Sequence, residues 1–152
     1  MSKEILEKND IFFIDVDSYY AEINGDECIR DNTFEVWHKL FRDVHELEEK
    51  GIDILFTSNA LTINQRNQLV EWFPKFRHHL IWVISPWEQC VEGNEKRRRH
   101  VPIDQLEDQW QRMEFPNANE KGWDTITHIT NIWNEDYIIF NLKGDIEKWI
   151  KI

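Results

Sequence analysis

Three stretches of the chain are continuously apolar and too short for helices: Ile11-Phe12-Phe13-Ile14, Ile54-Leu55-Phe56 and Leu80-Ile81-Trp82-Val83-Ile84. Runs of this kind, without alternation, predict strands buried on both faces, as in a parallel sheet. Ile126 to Ile129 predicts a fourth strand and Tyr137 to Phe140 a fifth. Between them the spacing turns helical. Residues 33–50, opened by Thr33 or Asn32, carry Phe34, Trp37, Phe41, Val44 and Leu47 on one face, widened by Val36 and Leu40, and Gly51 stops the helix. Thr62 opens a helix running through Leu69 and Val70 to Phe73, closed by Pro74. Ser85-Pro86 starts the helix that carries Cys90. Pro102 breaks the chain and starts another, with Leu106, Trp110 and Met113 forming a buried stripe at i, i+4, i+7. Short helices are predicted over residues 2–8 and 146–150, and a turn at Asn24-Gly25-Asp26. Alternation of such strands and helices predicts an α/β layered domain, with residues 1–152 as a single domain.

Composition narrows the functional classes. With 41% hydrophobic residues, eight Trp and nine Phe, the chain has ample material for a core and is not a disordered sequence. No apolar run approaches the ~20 residues of a membrane span, so no membrane contact is expected. Cys28 and Cys90 are too few for a disulfide framework and make no metal site, which predicts a reducing, cytoplasmic setting. A net charge of −11 repels nucleic acid from the bulk surface. Any such contact must be local, and the cationic run from Lys96 to His100 is the one strong candidate.

Chemistry-bearing residues then stand out by position. Asp15 and Asp17 follow the first strand, and Thr57-Ser58-Asn59 follow the second. The carboxyl ends of strands are where open α/β sheets place their sites. Asp17 reads either as a catalytic acid or as a helix-capping side chain. Arg66, on a helix, reads as a surface ion-pair partner. No second His, Cys or acid stands at metal spacing from His38, and the adjacent His78-His79 pair suits a loop, so no metal site is expected. The Trp residues fall on apolar stripes and read as core. By itself, the stretch from Cys90 to Ile126 is a helical hairpin with a solvated Arg-rich corner.

That stretch also carries a resemblance. The order Cys90-x-x-x-Asn94, the Arg97-Arg98-Arg99 run, Val101-Pro102, an amphipathic helix, Glu114-Phe115-Pro116 and Glu120-x-Gly122-Trp123-Asp124 resembles the lid region of polynucleotide-kinase-like P-loop kinases. Upstream, Asp17, the Trp37-His38 pair and Leu61-Thr62-x-x-x-Arg66 extend the likeness over residues 2–129. The resemblance implies a three-layer parallel sheet flanked by helices with a helical lid over residues 90–124. It implies ATP and Mg²⁺ as the family's cofactors and ATP-dependent phosphorylation of a polynucleotide 5′-hydroxyl as its activity. Asp17 would be the base toward the acceptor, and Asn94, Arg97 and Arg99 the lid's residues, whose arginines contact phosphate, with Arg66 matching the family's arginine after Leu-Thr.

The departures set a second group of expectations. The chain contains no Gly-x-x-x-x-Gly-Lys-[Ser/Thr], the loop whose backbone N–H groups cradle phosphates. It starts where that loop would already have passed, so the family's first strand and phosphate loop are expected to be missing. Thr57 stands where the family has a strand-end acid, and Tyr20 where it has an arginine. A degenerate or truncated kinase is therefore expected, binding no ATP or Mg²⁺ by itself. Partners would be a nucleic-acid 5′ end or nucleotide at the Arg patch, and a protein strand or second copy at the vacant strand position. Two other classes stay open. Ile14-Asp15-Val16-Asp17-Ser18 also resembles the first motif of haloacid-dehalogenase-type phosphatases, with Asp15 and Asp17 around Mg²⁺ and Thr57 or Ser58 as the second motif. A non-catalytic partner-binding module is the third.

Overall fold

The computed structural model describes residues 11–97, 100–131 and 137–148. They fall into two compact units, residues 1–59 with 147–152, and residues 60–146.

In the first unit the apolar run becomes β1 (Phe12–Asp15), which pairs in parallel with β2 (Ile54–Thr57). The register sets Ile14 beside Phe56 and Asp15 beside Thr57, so both strands end at the same level. The chain turns at once into α1 (Val16–Asn24), closed by Gly25 in the left-handed region at φ 79°. After a loop comes α2 (Thr33–Glu49). Its inward stripe is Val36, Leu40, Val44 and Leu47, all buried, and the core is completed by Ile14, Tyr19 and Tyr20. The stripe is rotated from the expected one: Phe34 is 81% exposed, Trp37 and Phe41 are half-buried, and His38 is exposed. Two apolar stripes lie within one residue of each other on this helix. The one that turned inward was not the more aromatic of the two. Asn32 does hold the N-cap position of α2, but in the left-handed region and without a side-chain cap bond.

The second unit opens with α3 (Ile63–Trp72), whose start is a capping box between Thr62 and Gln65. Then follow β3 (His79–Ile84), α4 (Trp87–Glu95), α5 (Ile103–Arg112), β4 (Thr125–Asn131) and β5 (Tyr137–Lys143). Strand β4 runs parallel to β3 and antiparallel to β5, in the order β3-β4-β5. The expected all-parallel sheet is therefore corrected: the strands form a two-stranded parallel sheet and a three-stranded mixed one. The short connection from β4 to β5 explains the change of sense, since a parallel return needs a crossover of a dozen or more residues. Ile126 and Ile129 of β4 are fully buried. On α5, Leu106 and Trp110 share a face as expected, but Met113 lies just past the helix as its extended C-cap, and all three are half-buried rather than buried, with Trp110 tilted against Trp87 at 5.5 Å between ring centroids. His78 lies in a loop, whereas His79 begins β3. The helix expected over residues 146–150 is a 3₁₀ turn at Ile146–Lys148; residues 2–8 and 149–150 lie outside the described residues.

Candidate functional site

The parallel pairing of β1 and β2 brings Asp15 and Thr57 together, and the immediate start of α1 adds Asp17. Strand β1 does not continue through both acids. Asp15 is its last residue and the N-cap of α1, while Asp17 sits in that helix's first turn. The two carboxylates consequently have different work. Asp15 Oδ1 accepts from the Thr57 hydroxyl at 3.1 Å and from the Asp17 backbone N–H at 3.4 Å. It ties the two strand ends together and satisfies a helix N-terminus. Asp17 is half exposed and accepts from Arg30 Nη2 at 2.6 Å.

Arg30 was not among the residues singled out from the sequence. It reaches Asp17 because the loop before α2 is tied back onto α1. Asn24 donates its amide to the carbonyls of Ile29 and Asp31, at 2.8 and 2.9 Å, and accepts from Asn32 at 2.8 Å. Asp26 turns the chain by accepting from the Cys28 N–H at 2.7 Å. The Arg30 guanidinium then lies over the Tyr20 ring, 4.3 Å from its centroid. Tyr20 is buried, and its hydroxyl shares a 3.3 Å bond with the Thr33 hydroxyl, which in turn donates to the Arg30 carbonyl. Asp15, Asp17, Tyr20, Arg30, Trp37, Thr57, Ser58 and Asn59 surround a cleft of about 440 Å³. It has the size of small-ligand sites, and among the described residues it is lined by one cation, two carboxylates and aromatic walls. The Asp17–Arg30 pair is a single contact between half-exposed groups, so it stabilises the fold by no more than about 0–1 kcal/mol.

In the second unit the motif residues serve the architecture. Arg66 is not a surface residue: it is fully buried, and its guanidinium meets Glu120 two-pronged, at 2.9 and 2.7 Å. Its remaining nitrogen donates to the carbonyls of Ala60 and Leu61, both at 3.2 Å, and Trp82 lies under it at 5.2 Å. A phosphate could reach this arginine only by displacing Glu120. Gly122, at φ 82°, packs on Val70 so closely that a Cβ would lie 2.4 Å from a Val70 methyl. Trp123 is buried edge-on to His78, and Asp124 exchanges backbone and side-chain bonds with His78, at 2.7 and 3.1 Å. The Glu-x-Gly-aromatic-Asp segment is thus a clamp onto α3 and the start of β3. Asn94 is likewise occupied. Its amide donates to the Val101 carbonyl at 2.8 Å and accepts from the Val101 N–H at 2.9 Å, clasping the two ends of the Arg-rich turn. Arg97 on that turn is exposed, and Arg99 lies outside the described residues. Lys96 is paired with Glu92 at 2.5 Å. The Cys90 thiol donates to the Ser85 carbonyl at 3.5 Å, and burial raises its pKa.

Acids and hydroxyls gathered at the carboxyl ends of parallel strands define this as an open α/β protein with its site in the usual place. The chain matches the family model described as an AAA domain over residues 1–116, and it belongs to that P-loop NTPase-like kinase family. No curated protein and no solved structure matches it. Members of the family in general bind ATP and Mg²⁺. The described residues do not fit those cofactors. No three His, Cys, Asp or Glu among them converge as a metal site, and Asp15 is spent on a strand end and a helix cap. Of the glycines described, Gly25, Gly51, Gly122 and Gly144 stand singly at positive φ and Gly93 lies within α4, so none of the described ones belongs to a glycine-rich loop that cradles phosphate. Among the described residues no helix is long and apolar enough to cross a membrane.

Proposed function

We propose that the chain carries the acceptor side of a P-loop-kinase-type site. The cleft at the ends of β1 and β2 receives a hydroxyl-bearing substrate, a polynucleotide 5′ end, and Asp17 takes up the hydroxyl proton. The observation that supports this best is the division of labour between the two acids. Asp15 is held by Thr57 and the helix backbone, whereas Asp17 lines the cleft and pairs with Arg30. A base must lie within about 2.6–3.2 Å of the proton it removes, and Asp17 borders space where a hydroxyl can come that close. Arg97, exposed on its own turn, is a further cation that can meet phosphate. The chain by itself does not complete the transfer, because its 152 residues contain no phosphate-cradling loop.

The test is transfer of labelled γ-phosphate from ATP-Mg²⁺ to a 5′-hydroxyl oligonucleotide. The chain alone is expected to give none, to bind ATP-Mg²⁺ more weakly than micromolar, and to hydrolyse no p-nitrophenyl phosphate with Mg²⁺. Transfer that disappears in Asp17→Asn would restore full kinase activity to the chain and keep the base assignment. Transfer that survives Asp17→Asn would overturn that assignment. Phosphatase activity lost in Asp15→Asn would favour the phosphatase reading instead.

A further inference from the structure

We infer that the outward stripe of α2 is a stacking platform for single-stranded nucleic acid. It carries the bases that follow a 5′ end seated in the cleft. It rests on the reading of that cleft as the acceptor's site and adds the track along which the strand leaves.

The aromatic stripe expected in the core faces outward. Phe34 is 81% exposed, His38 and Arg42 are exposed, and Trp37 and Phe41 are half-buried. At spacings of three and four these residues share one side of the helix, turned away from the buried Val36, Leu40 and Val44. Their rings already stand in pairs. Phe34 and His38 stack at 6.1 Å between centroids with 28° between planes, and Trp37 tilts against Phe41 at 6.0 Å. The charge is unusual for this chain. Against a net −11 overall, the stretch from Phe34 to Arg42 holds one acid, Glu35, and two lasting cations, Lys39 and Arg42. Glu35 is turned about 100° from Phe34 around the helix. Arg42 meets Asp43 at 3.2 Å, yet its side chain is 63% exposed and can also reach a phosphate. Acids return beyond it, where Glu48 lies 3.0 Å from the His45 ring and closes the stripe. Rings interleaved with cations hold single strands by stacking, largely whatever their sequence. A duplex keeps its base faces stacked on one another, so the platform selects unpaired strands. Trp37 makes the platform continuous with the cleft, since it lines the cleft together with Asp17 and touches Phe41. A strand with its 5′-hydroxyl at Asp17 thus finds rings for its next bases, over a stripe of about 12 Å. A second copy would bring another −11 to this face, whereas an unpaired base brings a neutral one.

Calorimetry at low salt on the full 152-residue chain tests the platform with two probes. One is a 5′-hydroxyl hexathymidylate, the other its abasic counterpart with the same backbone and charge. Circular dichroism checks folding, light scattering gives the oligomeric state, and NMR follows the backbone amides of Asp17 and Ser58. Wild type is expected to bind hexathymidylate as a monomer, about tenfold or more tighter than the abasic strand, with both amides moving. Phe34→Ala/His38→Ala should weaken hexathymidylate about tenfold or more and leave the abasic strand unchanged. Phe34→Trp, which keeps a ring, should retain the affinity. If the abasic strand binds equally, or the double variant binds hexathymidylate as wild type does, while the two amides still move, the platform is wrong and the cleft stands. If binding depends on Phe34 and His38 but those amides do not move, the platform stands and the acceptor reading falls. A wild-type dimer that the double variant turns into monomers, with no strand bound, assigns the stripe to a second copy and overturns the inference. A monomer that binds neither strand overturns both readings.

Discussion

Arg66 and Glu120 form a fully buried, two-pronged ion pair. A fully buried guanidinium is tolerated only when its charge is paired and its donors are used, and here both hold. Removing one partner leaves the other charge buried and alone. Arg66→Met is therefore expected to cost about 3–5 kcal/mol in urea unfolding. The double variant Arg66→Met/Glu120→Met should cost less than the sum of the single changes. It should not return to wild-type stability, because the carbonyls of Ala60 and Leu61 lose their donor in any case. Additive single effects would show that the pair is not coupled. Both halves of this pair were legible in the sequence as separate signals, Leu-Thr-x-x-x-Arg and Glu-x-Gly-aromatic-Asp. That they meet was not, since 54 residues separate them and nothing local requires the contact. Arg30 was missed for a related reason. Its reach to Asp17 depends on Asn24 folding the intervening loop back, and an asparagine before Gly25 reads only as a turn.

At the scale of elements, the strands were legible because they are short unbroken apolar runs. The sense of β5 and the facing of α2 were not, because each depends on what the element meets. The join between α3, β3 and the segment before β4 has its own pH signature. His78 lies there with its Nε2 2.9 Å from the Phe73 carbonyl, and burial outweighs that bond and nearby Asp124 to lower its pKa from 6.5. Burial lowers the pKa of His128 in β4 as well, helped by Arg66 and opposed by the Pro116 carbonyl and Glu120. A histidine depressed in the folded state takes up a proton on unfolding. Its contribution to stability is thus complete above about pH 6.5 and is lost as pH falls through the folded value. Thermal unfolding should move to lower temperature between about pH 7 and pH 5.5. His78→Gln/His128→Gln should flatten that slope. A wild-type midpoint that stays level or rises on acidification would contradict the assignment of both histidines as neutral.

For the whole molecule, the distribution of charge decides what can approach. A chain of net −11 keeps polyanions away except where cations are concentrated, and the structure places one such cation, Arg30, at a cleft with an acid suited to act on a hydroxyl. Membership in a P-loop NTPase-like kinase family gives that cleft a chemical context, and in the function proposed above the acceptor is the half of the reaction its residues serve. Where a 5′-hydroxyl oligonucleotide binds is therefore the most direct question. Titrating one into isotope-labelled protein at low salt, and following backbone amides by NMR, should shift residues 15–20, 30, 37 and 57–59, with the shifts fading as salt is raised. Shifts confined to other surfaces, the turn at Arg97 included, or no shifts at all, would contradict the account.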